Sequence, residues 1–347
     1  MNKLYSLILT LAFVIQGCSD GDDANGIIPV NNENETLAEG VYVSENQWIY
    51  SQMNHHYLWR EDLPDSLSCD YLLDPVSFFK SLLSSQDRFS YCEHNEHYHP
   101  ETRSDIDIFN PGSVLCDSIY YMDNHRIGYL CYRSFEDYEV LEPVMQRFFQ
   151  NRITDLILDL RYNGGGLIST CQYLCSSIVS EEAYGKPMQF LRYNEVVTQE
   201  RIRKGQSDEF LYKFKYPSDG KPTIGMQIYG LNLKRLFVIV SNRTASASES
   251  TIICLKPYMK VVVIGEKTVG KGVGMETFMN SRFKYKLVPI TFQYYNAVGE
   301  TVPLDGIEPD IKLKVEPNTN YENIGNCEEP LLKIALEQIT NKHNEYE

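Results

Sequence analysis

The sequence predicts an α/β protein with a layered core and a small helical domain in front of it. From about residue 114 onward, short apolar runs typical of buried strands alternate with stretches of helical periodicity. Between residues 39 and 90 the apolar residues recur at helical spacing instead. Hydrophobic residues make up 43% of the 347-residue chain and charged residues 23%, which excludes a disordered or collagen-like protein.

Residues 1–17 have the features of a lipoprotein signal peptide. Lys3 precedes an apolar run over residues 7–15, which is too short for a membrane-spanning helix. The run leads to Cys18 in a setting that resembles a bacterial lipobox, where the signal is removed before a cysteine that then carries lipid. We therefore expect lipid attachment at Cys18 and anchoring in the bacterial cell envelope, at the outer membrane, facing either the surface or the periplasm. An ordinary secretory signal with an incidental cysteine is the alternative.

Residues 18–38 form an acidic, polar stretch that we interpret as a flexible tether. Its acidic start at residues 19–23 fits either an export tag or a solvated spacer. A helical N-terminal domain is predicted over residues 39–100. Trp48, Met53 and Tyr57 lie at helical spacing there, and Asp74-Pro75 is typical of a helix start.

A polar and irregular segment follows over residues 91–112. His94, His97 and His99 lie in it and could ligate a metal. A loop that happens to be rich in histidine is the preferred interpretation, because we expect no helix or strand to fix these side chains. No metal is therefore predicted.

The α/β core is predicted over residues 112–345. Its elements are strands at 127–132, 156–160, 236–240 and 261–265, helices at 140–149, 166–178, 246–255 and 330–339, and antiparallel strands within 277–300. The net charge of -15 repels phosphate backbones, so no nucleic-acid partner is expected. Eight cysteines remain besides Cys18; disulfides are possible but cannot be paired, and Cys171 and Cys175 are predicted to be buried thiols.

A candidate nucleophile lies where an apolar strand gives way to a helix, in the segment NRTASASE at residues 242–249. Ser246 would be exposed at that turn, and the amides at the helix start could stabilise an oxyanion. Taken alone, the segment is better explained as a helix cap, because serine and threonine are preferred there.

A candidate base follows Ser246 by 25 residues. Lys271 lies in the segment GEKTVGKG at residues 265–272, where glycines let the backbone pass close to a neighbouring element. A lysine in an apolar site loses its proton more readily and can then deprotonate a serine hydroxyl.

A glycine-rich turn, DLRYNGGG at residues 159–166, follows a buried strand and could present amides to an anion. It matches neither a P-loop nor a dinucleotide-binding fingerprint, and no cofactor is predicted.

Together these segments resemble the C-terminal processing (tail-specific) peptidases, which are serine peptidases with a Ser–Lys dyad. GIEPD at residues 306–310 is also similar to a motif of that family, and the lipobox is similar to its lipoprotein branch. The resemblance implies a crotonase-like α/β core. It also implies specific roles: Ser246 as nucleophile, Lys271 as general base and acid, an oxyanion hole from the Ala247 amide with one from Gly164 or Gly165, and Glu249 as an orienting residue or a helix-start carboxylate.

The chain departs from that family at two places. Relatives with a Ser–His arrangement carry histidine in a D-x-H-[ST] setting, where this chain has Phe89, so the lysine dyad is favoured. Only 36 residues separate Ser90 from Ile127, too few for the PDZ domain that most of the family places there.

The resulting hypothesis is an anchored serine endopeptidase that cleaves unfolded proteins or peptides through an acyl-enzyme. The alternative is a weakly active or inactive peptide-binding surface lipoprotein on the same fold. A metal-dependent hydrolase using the three histidines is less favoured. The oligomeric state cannot be predicted.

Overall fold

The computed structural model describes residues 42–94, 112–218, 226–280, 282–315, 321 and 323–340. The predicted signal peptide, the tether and Cys18 lie outside the described residues, as do His97 and His99. The helices in the described part are α1 (Val43–His56), α2 (Pro75–Ser81), α3 (Glu142–Gln150), α4 (Ile168–Ile178), α5 (Glu195–Arg203), α6 (Ala247–Leu255) and α7 (Pro330–Thr340). The strands are β1 (Tyr91–His94), β2 (Val114–Met122), β3 (His125–Tyr132), β4 (Asp155–Asp159), β5 (Pro187–Tyr193), β6 (Leu211–Lys213), β7 (Arg235–Val240), β8 (Lys260–Gly265), β9 (Val273–Met275), β10 (Phe278–Asn280), β11 (Phe283–Val288), β12 (Ile290–Asn296) and β13 (Ile311–Lys312).

A six-stranded sheet in the order β13-β8-β7-β4-β3-β2 forms the centre of the core. All neighbouring pairs are parallel except β2 and β3, which form a hairpin. Strand β4 is buried along its whole length, because helices cover both faces of a parallel sheet and leave no solvent side. Apolar clusters on the two faces include α4 and α6 on one side and α7 on the other.

Two smaller antiparallel sheets complete the architecture. One has the order β6-β5-β12-β9, and Tyr294 and Phe292 of β12 pack into the same cluster as α4 and α6. The other has the order β1-β11-β10 and packs with α1 and α2 around Met53, Phe79 and Leu287. The α/β prediction with a helical N-terminal part is confirmed.

Several local predictions are confirmed by the structure. Helix α2 starts with Pro75, and the side chain of Asp74 accepts a hydrogen bond from the Ser77 amide. Cys171 and Cys175 are buried, and both carry free thiols. The other six cysteines of the described part are also free, so none of the disulfides that the count allowed is present among them.

The expectation of an irregular segment from residue 91 is wrong at its start. Tyr91–His94 form strand β1, which pairs antiparallel with β11, and the ring of His94 lies 5.1 Å from the ring of Tyr285. Strand pairing across nearly two hundred residues fixes this stretch, and its polar composition gave no sign of it. Among the described residues, no group of three or more potential ligands is arranged to hold a metal ion, and no helix there has both the length and the apolar character to cross a membrane.

An ionic cluster joins the end of the central sheet to the last helix. Arg161 lies just after β4 and is almost fully buried. It donates to Asp159, the last residue of β4, and through two nitrogens to the carboxylate of Glu329, directly before α7. Burial alone would raise the pKa of Glu329, but the guanidinium of Arg161 and the amides of Leu331 and Leu332 lower it below its ordinary value.

We predict that Glu329→Gln lowers the free energy of unfolding by about 2 kcal/mol at pH 7, because the buried guanidinium loses a charged partner. The lowered pKa means that the carboxylate stabilises the fold above its unfolded-state pKa of about 4.3 and loses this effect as the pH falls through the folded-state value. The difference between variant and wild type should therefore shrink in acid, as measured by urea unfolding at pH 7 and pH 4.

The neighbouring Glu328→Gln is a matched control. Its carboxylate is mostly exposed and pairs with Lys333 at 2.8 Å, so we expect a change within about 0.5 kcal/mol. Equal effects of the two substitutions at pH 7 would contradict the role assigned to Glu329.

Candidate active site

Ser246 lies in the tight connection between β7 and α6. Its backbone has φ 58° and ψ -119°, outside the regions that side-chain-bearing residues favour. Such a conformation costs of order 1–3 kcal/mol and persists only where the surroundings fix it. Helix α6 begins at the next residue, Ala247, so the serine stands at the positive end of a helix.

The carboxylate of Glu249 fixes this connection. It is fully buried and accepts four hydrogen bonds. One oxygen accepts from the amide of Ser246 at 3.0 Å and from the amide of Lys271 at 2.8 Å. The other accepts from the amide of Gly270 at 2.8 Å and from the hydroxyl of Thr268 at 2.5 Å. The backbones of the serine and the lysine are therefore held by the same carboxylate group.

A second bridge between the two segments comes from β12. The hydroxyl of Tyr294 lies 2.9 Å from the carbonyl oxygen of Ser246 and 2.8 Å from that of Lys271. Burial raises the pKa of Tyr294 well above its ordinary value, so the phenol stays protonated and donates. Glu249 thus binds Ser246 and Lys271 at their amide N–H groups, and Tyr294 binds the same two residues at their carbonyl oxygens.

Lys271 lies in the loop between β8 and β9, and its side chain is half-buried. Its amine nitrogen is 5.3 Å from the centre of the Phe89 ring. Desolvation lowers the pKa of Lys271, while the negative charge of Glu249 acts in the opposite direction and is the weaker effect. A larger share of this amine is therefore neutral at a given pH than for an exposed lysine.

The glycine turn packs directly on the serine. Gly165 has φ +107°, and a Cβ atom there would lie 2.7 Å from the Cβ of Ser246, so only glycine fits. Asn163 holds the turn from inside: its side-chain oxygen accepts from the Gly165 amide at 2.9 Å and its amide nitrogen donates to the Tyr132 carbonyl. Of the two glycines predicted for the oxyanion hole, Gly165 therefore already has an acceptor for its amide.

Ser246 and Lys271 line one cavity of about 470 Å³, together with Gly164 and Ala247. The cavity lies between α4, the start of α6 and the sheet that contains β5, β9 and β12. The large apolar and aromatic side chains of its remaining wall are those of Leu167, Ile168, Leu191, Tyr193, Val273, Met275, Phe292 and Tyr294. Polar side chains also line it, among them Ser169, Gln189, Ser250 and Glu276. The cavity can hold a substrate side chain beside Ser246, and the start of α6 next to the serine offers backbone amides.

The structure thus brings Ser246, Lys271, Gly164, Gly165, Ala247 and Glu249 into one region. The sequence suggested two roles for Glu249, an orienting residue or a helix-start carboxylate. The structure shows it at the helix start, as the third residue of α6, where it accepts from the Ser246 amide in a capping box and also from the Gly270 and Lys271 amides and the Thr268 hydroxyl. Tyr294 and Asn163 received no role from the sequence. The position of Asn163 within the glycine motif could have indicated a role in the turn. No local sequence feature marks Tyr294, because its hydrogen-bond partners lie 48 and 23 residues away.

Models of one peptidase family match both the N-terminal part and the core of the chain. A model described as peptidase family S41 matches residues 126–313, and one described as peptidase S41 N-terminal domain matches residues 44–91. A carboxy-terminal-processing protease of Bartonella bacilliformis is 24% identical over 207 residues, which cover 58% of this chain and 42% of that protein. A CtpA-like serine protease of Staphylococcus aureus is 24% identical over 239 residues, covering 64% and 42%. The chain therefore spans about two fifths of the length of these relatives.

Solved structures show the same fold. An S41 protease from Bacteroides fragilis superposes with a TM-score of 0.68 at 21% identity, covering 85% of this chain and 97% of that one. A lipoprotein from Streptococcus agalactiae gives a TM-score of 0.51 at 14% identity, covering 91% and 99%.

We predict that Glu249→Gln lowers the free energy of unfolding by about 2–5 kcal/mol, because a buried amide group would turn hydrogens toward backbone N–H donors and leave them unpaired. Urea unfolding at neutral pH measures the loss. Glu300→Gln is the control, since Glu300 is exposed and its carboxylate accepts from the Asn296 side chain. A loss below about 1 kcal/mol in the Glu249 variant would show that the carboxylate does not hold the two segments.

Proposed function

The chain belongs to peptidase family S41, and on this basis we propose that it is a serine endopeptidase that cleaves unfolded proteins or peptides through an acyl-enzyme. The observation that carries the proposal is the common cavity of Ser246 and Lys271, whose backbones are both bound by Glu249 and Tyr294. A serine and a lysine that share two buried anchors keep a fixed spacing at the backbone level. A nucleophile and its base must bring their side chains within hydrogen-bond reach, and a fixed backbone spacing supports this by limiting how far apart the side chains can lie.

In the proposed reaction the neutral amine of Lys271 accepts the proton of the Ser246 hydroxyl while the serine oxygen attacks the scissile carbonyl carbon. The resulting ammonium then gives this proton to the leaving amine as the peptide bond breaks. Water deprotonated by the same amine hydrolyses the acyl-serine and restores the hydroxyl. The lowered pKa of Lys271 supports its role, because the amine must be neutral to begin the cycle.

The negative charge that develops on the carbonyl oxygen needs backbone donors. We assign this role to the amides of Ala247 and Gly164, which both line the cavity. Gly165 contributes differently, since its amide donates to Asn163 and its missing side chain leaves room for Ser246. Asn163 therefore acts as a positioning residue for the turn.

The predicted location belongs to the same proposal. A lipid at Cys18, followed by the tether over residues 18–38, would hold the peptidase at a membrane of the bacterial envelope. Unfolded or peptide substrates of that compartment would then reach the cavity without a PDZ domain in between.

We predict that Ser246→Ala and Lys271→Ala each lower the rate of casein cleavage by about a thousandfold or more, because removing either member of a nucleophile–base pair removes most of the covalent chemistry. Cleavage is measured with the purified full-length protein. Lys267→Ala is the matched control, since Lys267 lies in the same loop but forms exposed ion pairs with Asp305 and Glu308. It should retain near wild-type activity.

Cleavage that survives Ser246→Ala would eliminate this nucleophile. If wild-type protein cleaves none of several unfolded substrates, the peptide-binding alternative becomes the better hypothesis. Inhibition by a chelator would instead favour a metal-dependent hydrolase that uses His94, His97 and His99.

The wall of the cavity predicts substrate preference. Peptides that differ only in the residue before the scissile bond should be cleaved roughly a hundredfold faster with leucine or phenylalanine than with aspartate, since the large side chains of the cavity are apolar or aromatic and the carboxylate of Glu276 repels a second negative charge. The ratio of kcat/KM values measures this preference. Equal rates for the two kinds of peptide would mean that another surface binds that side chain.

A further inference from the structure

We propose that Phe89 is a positioning residue for the reaction: its ring, presented by the N-terminal helical part, shields the Lys271 amine from water and thereby sets the pH range in which Ser246 is activated. The inference rests on the proposed function, since it assumes that Lys271 is the base. It also gives the helical part of the chain a direct role at the active site.

The first observation is the contact itself. The amine nitrogen of Lys271 lies 5.3 Å from the centre of the Phe89 ring, within the range in which an aromatic face influences a cation. Phe89 is half-buried, and it comes from the segment between α2 and β1, about 180 residues before the lysine. The aromatic wall is therefore supplied by a different part of the chain from the rest of the lysine's surroundings.

The second observation is how firmly the segment is held from the helical side. One oxygen of Asp87 accepts from the amides of Phe89 at 3.0 Å and Ser90 at 2.8 Å, which closes a tight turn. The other oxygen accepts from the hydroxyl of Tyr57, directly after α1, at 2.7 Å. The turn that presents the ring is thus anchored to the first helix.

The third observation is the attachment of the same segment to the core. Arg88 donates to the carbonyls of Leu304 at 2.6 Å and Val269 at 3.3 Å, and Val269 is two residues before Lys271. The hydroxyl of Ser90 accepts from the Ile290 amide at the start of β12. With bonds on both sides, the ring is held over the amine rather than resting on a free loop.

Several charged or titratable groups surround the amine. Glu249 on α6 favours the ammonium form, and Glu276 after β9 lines the same cavity. The guanidinium of Arg88 lies over the Phe89 ring at 5.0 Å, and the Tyr294 hydroxyl is bonded to the Lys271 carbonyl. The ring acts on the amine in two opposite ways: its face attracts the ammonium form, and its bulk replaces water on one side of the amine. Desolvation is the dominant cause of the lowered pKa of Lys271, so the exclusion of water is the larger effect.

The test is the pH dependence of Ser246 reactivity in the full-length protein, measured both as the rate of labelling by a fluorophosphonate probe and as kcat/KM for casein. Activity that needs a neutral amine falls as the pH drops through the Lys271 pKa. Phe89→Ala admits water to the Lys271 amine, so the acidic limb of the pH–activity profile should move up by about one pH unit. Phe89→Leu keeps an apolar wall, so its limb should stay within about half a pH unit of wild type.

Phe283→Ala is the matched control, because Phe283 is also a half-buried ring in the sheet beside the N-terminal helices, with its ring centre 5.9 Å from that of Trp48. It should leave the limb unchanged, and thermal unfolding shows that each variant is folded. Should Phe89→Ala fail to fold, Tyr57→Phe loosens the same turn and should move the limb in the same direction.

A folded Phe89→Ala protein with the wild-type limb would overturn the inference, even if its maximal rate fell, because a purely structural role lowers the rate at every pH. A Phe89→Leu limb that moves up as far as that of the alanine variant would also overturn it. Failure of the proposed function gives a different result: wild-type protein then shows neither labelling of Ser246 nor casein cleavage.

Discussion

One buried carboxylate determines the geometry of the site. Glu249 accepts hydrogen bonds from the amides of Ser246, Gly270 and Lys271 and from the hydroxyl of Thr268, so two loops that follow neighbouring parallel strands converge on its two oxygens. A charged group without such partners would be very costly in this position. The same bonds stabilise the unusual backbone of Ser246. Tyr294 adds a donor to the carbonyls on the other side, so both residues of the proposed dyad are fixed through their main chains.

The architecture explains why these loops meet. Strands β4, β7 and β8 are adjacent and parallel, so the segments that follow them leave from one edge of the sheet. The segment after β4 supplies the glycine turn, the one after β7 supplies Ser246, and the one after β8 supplies Lys271. Sites at the carboxyl ends of parallel strands are general in α/β proteins. The antiparallel sheet with β5, β9 and β12 then closes the cavity from the opposite side.

The sequence predicted the parts of this arrangement that are encoded locally. Continuous apolar runs mark β4, β7 and β8 because both faces of those strands are buried, and the serine, lysine and glycine segments each follow one of them. Parts that depend on distant pairing were not predicted. Strand β1 exists because β11 lies beside it, and Tyr294 gains its role only through the register of β12. Phe89 was recognised only as a residue that cannot act as a base, since its contact with Lys271 joins segments about 180 residues apart.

The cluster of Asp159, Arg161 and Glu329 has a consequence for the order of assembly during synthesis. Arg161 lies within the glycine-rich turn of residues 159–166, and its second carboxylate partner lies 168 residues later. A nascent chain still lacking residue 329 has a guanidinium at this position with only half of its final counter-charge. The turn beside Ser246 therefore gains its full set of ionic contacts only once α7 has been synthesised and has docked.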